Sequence, residues 1–525
     1  MNGAAVSFFI YTALLGALGL WSYKLVERIP ISKYEEEFYA AGRGLGGFIV
    51  ALIIAAGLSS AGTFIAGPGM TYKYGFSWMY FNNFNIFINL LLLASVGIGV
   101  GIVARRVGAT TYLDLFKARY ESRAVVVLLA ALVTFFLLPY MAAQFVGAAR
   151  VTAQMTGLSY FPSLALGASV VLIYCVLGGM RGNAIAAVVQ GVIITLGCLL
   201  LFIGTVRVAG GFEKATQILA KQDINLLSPT SGGAFSPLFA LSLASMMGFF
   251  IVGMPHALLG SLVYKNTKAL KRGIWIGGIL LLIWNVCLCL SGALGRAINP
   301  GLAIADEIGP WLAMHVLPPF LGGIILAGVV AGIQTTVAAM AIIITSSIAK
   351  NLVAEFRADF SPEKAKLVSR LTMTGCISLS IILALFQPAL IQWIILFSVG
   401  GLESATFGSL LLGMFWKRGN KWGAMASICS GMLVYTLSNT AIPTLRIGDA
   451  HPTLISVLIS TAVFVLVSLA TQGPSVTVLR TFWGRPQMDK QQVSASVPGG
   501  QIGAGVAGRF APRDINTETW LKIRE

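Results

Sequence analysis

The sequence predicts an all-α polytopic membrane protein with about thirteen transmembrane helices. Three observations predict it. Of 525 residues, 57% are hydrophobic and only 10% are charged, whereas soluble domains carry about 25% charged residues. The mean hydropathy is +0.84. Apolar runs of span length recur along the chain, and roughly 20 such residues cross a bilayer. Together these exclude a soluble enzyme, a secreted disulfide scaffold and a nucleic-acid binder. The net charge of +17 sits between the apolar runs, so it reads as an orientation signal. The six cysteines all fall inside apolar runs and form no CxxC pair, which indicates neither disulfides nor a metal site.

The first run, 5–24, has no basic residue before it and no small-residue cleavage site after it. It reads as a retained span rather than a signal peptide. The others are 46–70, 77–103, 124–149, 159–179, 184–206, 236–262, 273–295, 320–349, 369–387, 389–415, 422–442 and 453–471. A transmembrane domain thus occupies 1–472, and a tail of 473–525 follows. The tail contains the Gly-rich stretch SVPGGQIGAGVAGRF and reads as disordered. With the N-terminus outside and the tail cytoplasmic, 29 of the 36 Lys and Arg residues lie inside and 7 outside. That is strongly positive-inside, and the membrane expected is the cell membrane, plasma or inner.

The second span, from Gly46 to Gly75, is interrupted by Gly57, Gly62, Gly67, Pro68 and Gly69, with Ser59, Ser60 and Thr63 nearby. Proline removes a donor and frees a carbonyl four residues back. Such defects persist at membrane depth only inside protein or along a cavity. Glycine-mediated helix packing is the other reading. The seventh span is interrupted at Gly253, Pro255 and His256. Paired broken helices point to a midplane binding site. Five spans separate the two breaks, which suits two five-helix repeats at 46–206 and 236–415.

Four polar features stand out at membrane depth. Asn82, Asn85 and Asn89 fall within about 60° of one another at roughly 100° per residue. They form a polar stripe facing a solute or water, or bonding neighbouring helices. Thr335 and Thr336 are adjacent hydroxyls in an apolar run. They suit a small hard cation or bond back to the preceding turn. Glu403 is the acid placed inside a span, and an intramembrane acid is functional by default; a hydrogen-bonded structural acid is the alternative. His256 is the histidine at membrane depth. It meets a solute carboxylate or satisfies a carbonyl.

At the second span the chain becomes recognisable: it resembles the sodium/solute symporter family, and within it the pantothenate-transporting members. The residues that carry the resemblance are AAGRGLGG (40–47), GPGMTYKYG (67–75), QFVGAAR (144–150), LGGMRGNAIAAVVQG (177–191), GMPHALLGSLVYKNTKALKRG (253–273), SGALGRAINP (291–300), VLPPFLGGIILAGVVAGIQTT (316–336) and GGLES (400–404). It runs from about residue 10 to 470. The resemblance implies a leucine-transporter-like inverted repeat. It implies a sodium site at Ala56, Ser59, Gly332, Thr335 and Thr336, with Na+ as coupling ion. It also implies uptake of a small organic solute, a carboxylate such as pantothenate. The solute pathway is expected at Asn82, Asn85, Asn89, Gln144, Pro255, His256 and Glu403.

Leu58 and Ala187 stand where family members carry an acid, whereas Gln190 is kept. Proton coupling, with Glu403 as carrier, is therefore the alternative within the fold, as is an amino acid, monocarboxylate or sugar as solute. A transporter-like membrane sensor and a membrane enzyme are the rivals from other classes. The short tail argues against the first. The lack of a His, Asp or Glu cluster at depth argues against the second.

Overall fold

The computed structural model describes residues 3–353, 356, 361–386, 391–440 and 442–484. Helices dominate it. The one extended pairing among the described residues is an isolated parallel bridge between Leu45 and Tyr264. Nine described helices are long and apolar enough to cross a bilayer, or ten if the bent pair Gly47–Leu58 and Gly62–Tyr74 is one span. The remaining expected spans take other forms. That at 159–179 runs into 184–206, one of the nine, as Tyr160–Val208, broken at Gly179 (φ 53°, ψ −144°). Only glycine takes that backbone readily, and the Phe38 ring lies 2.5 Å from where a Cβ would stand. The expected span at 422–442 is the helix Lys421–Asn439.

Helix starts follow the capping residues. Ser122 accepts from the Val125 N–H, Asn266 from Ala269 and Asn420 from Gly423. Each satisfies a donor that the first helical turn leaves open. The long helix Arg123–Thr156 ends on Gly157 in the left-handed conformation, a common helix stop.

Burial separates the centre from the periphery. The most apolar stretch of Pro319–Val353 is 100% buried and that of Ile391–Phe415 is 83%, against 33% for Pro362–Ala384. The first two helices therefore form the core of the bundle, and they carry Thr335, Thr336 and Glu403. Asp114 anchors the last turn of the central helix. It shares a capping box with Thr111 and meets Lys350 at 2.7 Å and the Asn351 amide at 2.7 Å.

The seventh span is broken more than its sequence suggests. Pro237–Ala244 is α-helical, Ser245–Phe249 widens into a π turn, and Phe250–Gly253 tightens into a 3₁₀ turn. Met254 is extended before the short helix Gly260–Val263. Gly253 closes the break, its carbonyl accepting from the Tyr112 hydroxyl at 2.9 Å and the Thr406 hydroxyl at 2.8 Å.

The start of the expected tail is ordered. Val476–Trp483 is a helix capped by Ser475, with Val478 and Phe482 buried. Arg106 donates to the Phe482 carbonyl at 2.8 Å, and the Arg119 guanidinium lies 5.0 Å from the Trp483 ring centre. Its amphipathic spacing was masked by the polar residues around it. Residues 485–525, including the Gly-rich stretch expected to be disordered, lie outside the described residues.

Candidate functional site

The second span stops and restarts. Its first half ends at Leu58, Ser59 is extended (φ −106°, ψ 148°), and the second half leaves at a bend of 67°. The break thus falls at Ser59 and Ser60, not at Pro68. A π turn over Gly62–Ala66 absorbs the proline, the Gly67 N–H reaching back five residues to the Gly62 carbonyl. Pro68 then sits in the first turn of Gly67–Tyr74, where its missing donor costs nothing.

Breaking a helix at depth strands donors and acceptors, and each needs a partner inside the protein. On the donor side, Gln144 Oε1 accepts from the Ala61 N–H at 2.6 Å and Ser60 Oγ from the Gly62 N–H at 3.0 Å. On the acceptor side, Thr336 Oγ1 reaches across from the central helix. It lies 2.7 Å from the Ser59 carbonyl oxygen, 3.2 Å from that of Ala56 and 3.2 Å from that of Gly332. One hydroxyl proton faces three carbonyl oxygens, so acceptors outnumber donors. Ser59 Oγ is also buried and without a partner among the described residues.

The adjacent Thr335 behaves differently. Its hydroxyl bonds back to Gly332 at 2.7 Å and Ala331 at 3.3 Å, the ordinary role of a helical threonine. Ala56, Ser59, Gly332 and Thr336 thus meet at the break, while the Thr335 hydroxyl meets it only through the Gly332 carbonyl.

Beside this cage is a cavity of ≈ 80 Å³. Gly57, Leu58, Ser60, Gly62 and Thr63 of the broken span form one wall, and Asn82, Asn85 and Asn89 another, with His256 closing it. The asparagine stripe is thus a cavity wall. Asn82 also bonds across to the Thr267–Ile298 helix, donating to Asn285 Oδ1 at 3.0 Å. His256 is buried with Nδ1 unpartnered among the described residues, and its ring meets Tyr140 edge-on at 5.7 Å. The two breaks abut, because a Cβ at Gly57 would stand 3.0 Å from the His256 carbonyl oxygen. Glycine permits that approach.

Three expected pathway residues stand elsewhere. Gln144 stitches the break from behind. Pro255 lies in the turn after Met254 and does not line the cavity. Glu403 is fully buried, with both carboxyl oxygens unpartnered among the described residues, and is not in the lining. Four amide or aromatic lining residues escaped the sequence reading: Asn285, Gln392, Tyr140 and Trp78. Asn285 is a lone amide in LLLIWNVCLCL, the same signal that exposed Asn82. Gln392 stands at a span's head, where amides are ordinary. Tyr140 and Trp78 pass as apolar.

The profile of the Sodium:solute symporter family matches residues 38–431. A sodium/pantothenate symporter of Haemophilus influenzae is 34% identical over 444 residues, covering 83% of this chain and 90% of its own length. One of Escherichia coli is 32% identical over 473 residues, covering 89% and 97%. An osmoregulated proline transporter of Bacillus subtilis is 24% identical over 490 residues, covering 91% and 96%. In three dimensions, the substrate-bound outward-open state of a Na+-coupled sialic acid symporter superposes with TM-score 0.76 at 17% identity, covering 90% of this chain and 99% of that one. That likeness gives the fold, which is leucine-transporter-like.

The stitching role of Gln144 is testable. Gln144→Leu leaves a buried N–H without a partner, which costs about 1–3 kcal/mol. Gln144→Glu keeps an accepting oxygen and is expected to be milder. Thermal unfolding of the detergent-solubilised protein reads the difference; equal midpoints for the two variants contradict the role.

Proposed function

The chain belongs to the sodium:solute symporter family, and we propose that it accumulates a small organic carboxylate, with pantothenate the leading candidate, using a sodium gradient. The sodium ion is held by the Ala56, Ser59 and Gly332 carbonyls and the Thr335 and Thr336 hydroxyls. The observation that carries this reading is the Thr336 hydroxyl set among three carbonyl oxygens at a helix break. A cation entering there supplies the positive charge those oxygens lack. Both threonines turn lone pairs inward to it, and Thr335 gives up its bond to Gly332.

The solute occupies the neighbouring cavity, between the asparagine stripe and His256. Identity of 34% and 32% to sodium/pantothenate symporters supports pantothenate. The amide-rich wall suits a solute that itself carries hydroxyl and amide groups. Glu403 does not line the cavity, which supports a structural role for it over proton carriage. The N-terminus is outside and the tail cytoplasmic, and 46–206 and 236–415 are the two repeats that move against each other around the breaks. A monoanion carried with one Na+ moves no net charge. The membrane potential, ~2.3 kcal/mol per charge per 100 mV, then contributes nothing, and the sodium concentration gradient alone drives uptake.

Labelled pantothenate should enter proteoliposomes under an inward sodium gradient and not under potassium. A bond to a charged group is worth roughly 1.5–3 kcal/mol, and each ~1.4 kcal/mol is tenfold in affinity. Thr336→Ala is therefore expected to raise the sodium concentration for half-maximal uptake about tenfold, and Thr335→Ala comparably. Thr→Ser should be mild at either position. Unaltered sodium dependence in both alanine variants contradicts the proposed site.

The orientation has its own test. A cysteine at Gln217 should react with an impermeant thiol reagent added outside, and one at Lys364 only from inside. Labelling of both from one side sinks this topology.

A further inference from the structure

The cavity wall contains a hydrogen-bond relay whose direction is fixed by the backbone. Asn285 lies on the Thr267–Ile298 helix, and its Nδ2 donates to the Leu281 carbonyl at 3.1 Å. A carbonyl accepts only, so the amide nitrogen of Asn285 must face it. Asn285 Oδ1 is thereby turned toward Asn82, which it meets at 3.0 Å. That oxygen also accepts only, so Asn82 must present Nδ2. The second contact of that nitrogen is Cys289 Sγ at 3.8 Å, a weak acceptor on the same helix. The donor end of the Asn82 amide is thus committed to this helix. Its Oδ1 is what remains to meet a solute.

We propose that Asn285 is a positioning residue that holds Asn82 with its carbonyl oxygen toward the cavity, so that the site selects solutes bearing a hydroxyl or amide N–H over matched solutes lacking one. This rests on the reading of the cavity as the solute site. Two further acceptors lie on its lining. Asn89 Oδ1 and Gln392 Oε1 are buried and without a partner among the described residues. Three side-chain oxygens, two on Phe76–Leu92 and one on Ile391–Phe415, therefore belong to residues that line the cavity, and the lining includes no Lys or Arg. Buried acceptors left unmatched are costly, which is why a site built to bond a solute's donors rejects the analogue without them. Because Asn285 sets the relay before any solute arrives, the selection is preorganised. Hydroxylated amide carboxylates fit this pattern, and pantothenate offers both its hydroxyls and its amide N–H.

Matched pairs test it. Pantothenate is compared with its analogue in which hydrogen replaces the hydroxyls, and lactate with propionate, by calorimetry on the full-length protein in sodium. In whichever pair binds, the donor-bearing member should bind at least about tenfold more tightly. Asn285→Leu frees Asn82 to turn and should narrow that preference about tenfold, with the sodium concentration for half-saturation unchanged. Asn285→Asp keeps an acceptor facing Asn82 and should keep the preference. A merely structural role would lower folded protein without changing the ratio within a pair. Equal affinities within the bound pair of the wild type, or an undiminished ratio in Asn285→Leu, overturn the proposal. Should Asn285→Leu not fold, the wild-type ratio and Asn285→Asp decide. If lactate is preferred over propionate while pantothenate is not bound, the solute named above is wrong and the selection for donors stands.

Discussion

A broken backbone in a bilayer must be closed from within the protein, and the break at Ser59 and Ser60 sets that demand on everything around it. Lipid offers no partner to the Ala61 N–H or to the carbonyls of Ala56 and Ser59. Gln144 must therefore arrive from the Arg123–Thr156 helix and Thr336 from Pro319–Val353. The second of these helices has to be central for its hydroxyl to reach the break, and its burial shows that it is. The break is thus held open by two side chains from helices distant in sequence.

On the proposed reading, one short segment serves both ligands. Ala56 and Ser59 face the oxygen cage, while Gly57, Leu58, Ser60, Gly62 and Thr63 line the cavity. The residues on the two sides alternate within 56–63, on either side of the break at Ser59 and Ser60, so on this reading they shift together. Ordering the segment around a cation therefore orders one wall of the neighbouring cavity. The conformational cost is met once for both ligands, which is positive coupling without any long-range path. The second break adds to this, because Gly57 packs directly on the His256 backbone.

Much of this was legible in the sequence. Apolar runs gave the bundle, the breaks in spans two and seven were visible as Gly, Pro and Ser clusters, and the asparagine period placed three amides on one wall. The hidden parts have physical reasons. Pro68 marked the wrong point, because a π turn over Gly62–Ala66 accommodates it and the serines bear the break instead. Thr335 and Thr336 read as equivalent, yet only the latter points across to the broken span, a matter of helix facing that adjacency does not reveal. Gln144 was visible as polar within QFVGAAR, but its partner is 83 residues away. Glu403 drew attention as a charge at depth, although it is buried and not among the cavity's lining residues.

The central claim is that sodium closes the oxygen cage and thereby orders the 56–63 segment. Hydrogen exchange of that segment, followed by mass spectrometry on the purified protein in sodium and in potassium, tests it most directly. The account predicts slower exchange at residues 56–63 in sodium alone, with the effect lost in Thr336→Ala. Identical exchange in the two salts, or protection that survives Thr336→Ala, would contradict it.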